Sequence, residues 1–182
     1  MTVRSALRAA TQASHDRVDD LFSRFDLTDP ADYRLFLAAQ ASAHVPAEEA
    51  LDAGGAGSVL ADWPSRKRAA LLRLDLDEAG GGDVPRLPPP AFDGAPALLG
   101  GVYVLEGSRL GGALLARSLP AHAPGRFLRA RGAPDAWRRL LARMDELIYD
   151  PADLAAASEA ARAVFSLFET AGRLVWDSRR RD

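Results

Sequence analysis

With 182 residues, 48% of them hydrophobic and 26% charged, the chain is long enough for one domain with a real core and too apolar to be disordered. A formal net charge of −2 and a pI near 5.9 exclude a general binder of nucleic acid or of anionic membranes. The absence of cysteine removes disulfides, thiolate zinc, cysteine-ligated clusters and thiol nucleophiles together.

Three histidines remain to carry any metal chemistry: His15, His44 and His122. Isoleucine occurs once while alanine, leucine, arginine and glutamate abound, which favours helix throughout. No run of 18 apolar residues is present, so no membrane span is expected. The N-terminus is charged from Arg4 onward and has no apolar secretory block, so the expected setting is the cytoplasm.

Apolar spacing predicts a first helix over about residues 2–24. Leu7, Thr11, Ser14, His15, Val18, Leu21, Phe22 and Phe25 recur on one face. His15 thus has two readings, a core histidine or a metal or haem ligand. Asp19 lies one turn on, where a carboxylate can orient an imidazole. Arg8 lies two turns back, about 10 Å along the axis, within reach of an acidic substituent on a large flat ligand.

A second helix is expected from Pro30, where "TDPADY" supplies an Asp cap followed by proline. Pro46 is expected to kink or interrupt it, leaving His44 as a partly exposed residue near a helix end. A Gly-rich loop, "DAGGAGS", follows, and "DWPSRKRAALLRLDLDEAG" reads as one third helix. Residues 80–97, rich in glycine and proline, form an internal loop and not a domain boundary. Helices are then expected over about 95–118, 134–149 and 151–179. His122, in "LPAHAPG", reads as exposed loop. The expected architecture is all-α, a single domain over residues 1–182 with six or so helices.

The segment "EGSRLGG" (106–112) places three glycines inside a helical pattern, which sacrifices about 2–3 kcal/mol of helix propensity. It matches no phosphate-binding loop. Gly107 and Gly111, four apart, suit either a close helix–helix contact or a helix that presents bare backbone to a planar ligand. Phe165, Phe168 and Trp176 on the last helix line such a pocket or belong to the core.

"LRAATQASHDRVD" (7–19) together with "YVLEGSRLGG" (103–112) resembles the haem oxygenase family, most closely the bacterial biliverdin-producing members that accompany bacteriophytochromes. The resemblance implies haem held between a proximal N-terminal helix and a kinked distal helix. It implies His15 as the iron ligand, Asp19 as the acidic residue one turn on, Arg8 against a propionate, and Gly107, Gly111 and Gly112 over the haem face. Thr11 and Phe165 join the haem-binding set, and Arg162 or Arg173 is expected at the second propionate. Many members carry aspartate directly after the first distal glycine, where it organises the water network that delivers protons. Here that position is Ser108, whose part Glu106, Arg109 or a water could share. The implied reaction opens haem, both substrate and cofactor, to biliverdin, iron and carbon monoxide. It consumes dioxygen and electrons from a ferredoxin-type or other reductant, and a bacteriophytochrome is the implied recipient of the product. The alternatives are a haem carrier or sensor of the same fold, or a relative that binds no haem.

Overall fold

A computed structural model describes residues 2–179. Among them nine helical segments form and no strand: α1 (Val3–Phe22), α2 (Pro30–Ala53), α3 (Ala56–Val59), α4 (Trp63–Arg66), α5 (Ala69–Glu78), α6 (Gly94–Leu115), α7 (Arg126–Arg129), α8 (Ala136–Leu147) and α9 (Pro151–Ser178). The all-α expectation holds. No helix among the described residues is long and apolar enough to cross a membrane.

The long helices begin where side-chain oxygens satisfy orphan amides. Thr2 accepts from the Ser5 amide at the start of α1. Asp29 and Asp150 accept from the Asp32 and Asp153 amides, each at 2.8 Å, and each is followed by a proline in the first turn. The α9 helix packs against α1, α2 and α6, while α5 covers α2. Phe36, Leu37, Leu51, Leu99, Val102, Leu140, Met144 and Val164 fill the interior.

Three expectations are corrected. Pro46 does not interrupt α2, which runs unbroken to Ala53. A proline removes one backbone bond, but Ala43, His44, Ala47 and Leu51 around it are buried, and that packing outweighs the loss. His44 is therefore 1% exposed and lies within the helix, not at its end. The expected third helix is split into α4 and α5, and short turns α3 and α7 add to the six helices expected.

The split has a tertiary cause. Glu48 of α2 accepts the Arg68 amide at 2.7 Å and the Ala69 amide at 3.1 Å, so a carboxylate from another helix caps α5. Backbone committed to that cap cannot continue the helix from α4.

Glycines also divide by role. A Cβ on Gly100 would collide with the Ala157 backbone, and one on Gly101 would meet the Phe92 ring. Close approach of α6 to α9 is thus carried by Gly100, while Gly101 makes room for Phe92 and for Leu51 of α2. Gly107 and Gly111 meet nothing within 4 Å, which removes the helix-contact reading for them.

Candidate functional site

Between α1 and α6 lies a cavity of about 410 Å3, floored by Phe165 and Phe168 of α9 and walled by Phe36 and Gln40 of α2, Phe127 of α7 and Trp137 of α8. From α1 it is lined by Arg4, Arg8, Thr11, His15, Asp19 and Phe22. At 3.6 residues per turn these six fall on one stripe of the helix, so the face that carries the apolar pattern also carries the chemistry.

His15 is half exposed, and its Nδ1 lies 3.1 Å from Asp19 Oδ2. With Nδ1–H donated to the carboxylate, Nε2 is the nitrogen left with a lone pair, the form a metal binds. The Phe165 ring meets the imidazole edge-on at 5.8 Å. Burial, aided by Asp16 and Asp20, holds the Asp19 carboxyl above its ordinary range, and His15 opposes that rise. Thr11 donates its hydroxyl proton to Leu7 O at 2.8 Å, so it lines the wall with that proton already committed.

Opposite, α6 contributes Gly107, Ser108 and Gly111 to the cavity. Space lies open where Cβ atoms of Gly107 and Gly111 would stand, so this stretch of wall is backbone. The helix neither stops nor unwinds there. Gly112 also borders the cavity, but its own Cβ position faces Leu128 at 3.3 Å.

Ser108 is not isolated. Its Oγ donates to Leu105 O at 2.7 Å and accepts from Arg68 Nη2 at 2.8 Å. Arg68 is 2% exposed, donates also to Leu105 O and lies 4.6 Å over the Phe127 ring. Burial, with Arg109 nearby, depresses its pKa to about 9, which leaves it charged at neutral pH. Beneath it, His44 Nε2 meets Glu48 Oε2 at 3.2 Å. Burial works to raise the Glu48 pKa, but the His44 hydrogen bond and the Arg68 and Ala69 amides outweigh it and hold the carboxyl low. An ionised carboxylate only accepts, so His44 donates through Nε2. Its Nδ1 is then a buried lone pair without a partner among the described residues. Burial lowers the His44 pKa to about 4, so the ring is neutral. Gln40, one turn earlier on the same helix face, lines the cavity.

The remaining expected residues lie elsewhere. Glu106 accepts from Arg66 at 2.9 Å and from Arg109 at 3.0 Å in a buried network behind α6, so neither Glu106 nor Arg109 is available to share the part of Ser108. Arg162 is exposed and donates to Ala10 O at 3.4 Å, outside the cavity lining. Arg173 pairs with Glu169. Trp176 packs on Phe25 with ring centroids 5.2 Å apart, and His122 is exposed loop. Sequence reasoning missed Arg4, Gln40, Arg68, Tyr103, Phe127 and Trp137 at or beside the cavity. Of these Arg4 carried a signal, since it shares the helical stripe of Arg8 and His15, and so did Tyr103, one turn before Gly107 on the stripe of Gly107 and Gly111.

No family model matches the chain. Over 114 residues it is 38% identical to a protein named heme oxygenase from Xanthomonas campestris pv. campestris (strain 8004), an alignment covering 59% of this chain and 68% of that protein. Its fold is similar to that of the NO- and CO-bound heme oxygenase from Neisseria meningitidis, with a TM-score of 0.83 at 22% identity over 97% of this chain and 93% of the other. Heme oxygenase from Leptospira interrogans is also similar, with a TM-score of 0.71 at 18% identity over 94% and 98% of the two chains.

Proposed function

The chain belongs to the haem oxygenase family, and from that premise we propose that it opens haem to biliverdin in the cytoplasm, releasing iron and carbon monoxide and using dioxygen and electrons from a ferredoxin-type donor. One observation carries this reading. Across a single cavity, a histidine whose Nδ1 is taken by Asp19 faces a helix wall of bare backbone at Gly107 and Gly111.

The residues present fit the group. His15 Nε2 would hold the iron, Phe165 and Phe168 offer an apolar floor, and the missing Cβ atoms leave room for a flat macrocycle. When bound, haem supplies the redox chemistry. The chain's part is to bind, orient and manage protons. Asp19 fixes the tautomer and ring orientation of His15. A wall without side chains limits the approach to the macrocycle face sterically while placing no acid–base side chain directly over its centre.

Ser108 anchors the proton path through its oxygen: its own proton is donated to Leu105 O, which leaves an Oγ lone pair to hold a proton-carrying water. Arg68 polarises its hydroxyl, so a charge-assisted hydrogen bond does part of what a carboxylate does elsewhere in the family. The released biliverdin suits a bacteriophytochrome that takes it as chromophore, which is the partner this reading implies.

The test is to add hemin to the purified protein, then ascorbate or a ferredoxin system in air. Loss of the Soret band with growth of a biliverdin band is expected. A Soret band that persists through reduction would mark a haem carrier. A Soret complex unchanged in His15→Ala would remove the ligand assignment.

A further inference from the structure

The polar end of the cavity is built from the first turns of α1. Arg4 and Arg8 both line it, as do Tyr103 and Trp137, whose rings lie 5.4 Å apart. Neither arginine has a carboxylate within salt-bridge distance among the described residues. The one acidic residue in the lining is Asp19, fifteen residues further along α1, or about 22 Å at 1.5 Å per residue. The cavity is therefore polarised, with two unneutralised guanidinium groups at one end and the His15–Asp19 pair towards the other.

Arg4 is also misplaced for helix stability. The first turn of α1 holds no acidic residue, and a cation there opposes the helix dipole. An exposed arginine in an unfavourable position, lining a cavity and lacking an intramolecular partner, has its use in a ligand.

We propose that Arg4 and Arg8 together form a dianion clamp in which Arg4, and not Arg162 or Arg173, takes the second propionate of the macrocycle. The inference rests on the haem reading above. Arg4 and Arg8 are about 6 Å apart along the axis, and His15 lies about 16 Å from Arg4 and about 10 Å from Arg8. Extended guanidinium groups span the difference and meet two carboxylates on adjacent edges of a ring whose centre is at His15. Tyr103 closes the same end. Burial raises its pKa, while Arg4 and then Arg8 pull it back, so its hydroxyl shares the field of both. Two anchors on neighbouring pyrroles fix rotation about the axis through His15. A single anchor leaves that rotation free. Arg4 is on this account a positioning residue, and it decides which edge of the macrocycle faces the gap over Gly107 and Gly111.

The experiment titrates wild type, Arg4→Gln, Arg4→Lys and Arg162→Gln with hemin and with hemin dimethyl ester, reading the Soret band, and then determines the biliverdin isomers formed. Arg4→Gln is expected to weaken hemin binding roughly 5- to 20-fold, the size of one charge-assisted pair, with no loss for the diester. It is expected to broaden a single isomer into a mixture, while the Soret position, set by His15, stays put. Arg4→Lys restores most of the affinity, and Arg162→Gln matches wild type. Equal affinity of wild type and Arg4→Gln for hemin overturns the clamp, as does an equal loss for acid and diester or an Arg162→Gln variant that reproduces the defect. If wild type forms no hemin complex at all, the haem reading itself fails, an outcome distinct from these.

Discussion

Arg68 Nη2 and Ser108 Oγ lie 2.8 Å apart, joining the turn between α4 and α5 to the wall of the cavity. An arginine that is 2% exposed thereby spends its charge on a neutral hydroxyl and the Leu105 carbonyl, with no carboxylate bound directly to its guanidinium among the described residues. A charge from outside α6 thereby reaches its cavity wall at Ser108.

Ser108→Ala removes the hydroxyl and leaves Arg68 with one acceptor fewer. Turnover of hemin is expected to fall about tenfold, within the usual range for a proton-transfer group, while hemin affinity stays within about twofold. Ser108→Asp, which sets a carboxylate against Arg68, is expected to retain turnover or raise it. Single-turnover absorption kinetics separate the two effects.

Gly107→Ala and Gly111→Ala enter open space inside a helix, so each is expected to stabilise the ligand-free protein by about 0.5–1 kcal/mol. Each should also weaken hemin binding, because the added methyl projects into the cavity. Gly100→Ala is expected to do the reverse in kind and cost about 1–3 kcal/mol, since its Cβ meets Ala157 backbone that cannot yield. Thermal melts with and without hemin distinguish the three.

Asp19→Asn keeps the size of the side chain and removes its charge. Hemin affinity is expected to fall about 10- to 100-fold, as it does when partners behind a metal-ligating histidine are changed. A titration followed at the Soret band measures it, with His15→Ala as the limiting case.

Acid should weaken the fold through His44. Its folded pKa is about 4 against about 6.5 in the unfolded chain, so below 6.5 the unfolded state binds the proton first. Stability is complete above pH 6.5 and is lost as pH falls towards 4, by about 2 kcal/mol between pH 7 and pH 5. Urea denaturation at these two values reads the loss. His44→Gln, which can still donate to Glu48, is expected to flatten that dependence.

The parts legible in the sequence are those whose cause is local. Asp29 before Pro30 marks the start of α2, and the 3.6-residue stripe through Leu7, Thr11 and His15 marks both the buried face of α1 and the cavity edge. Composition alone carried the all-α fold. The parts that stayed hidden have causes distant in the chain. Nothing in "SRKRAALL" tells that Glu48, 20 residues before Arg68, will take the Arg68 and Ala69 amides and turn Arg68 inward. His44 beside Pro46 looks like a helix end, and only packing from Phe127 of α7 and Phe168 of α9 makes it an interior residue.

A wall made of main chain behaves unlike one made of side chains. Substitution at Gly107 or Gly111 can add atoms but never remove them, so the shape of this face can be filled and not enlarged. Any adjustment of the cavity that keeps its full width has to come from behind the wall, through whatever stands at Ser108 and whatever holds it, or from the opposite helix. The smallest residues in the chain thus make the least adjustable surface, and the buried arginine beneath them is where that surface remains open to change.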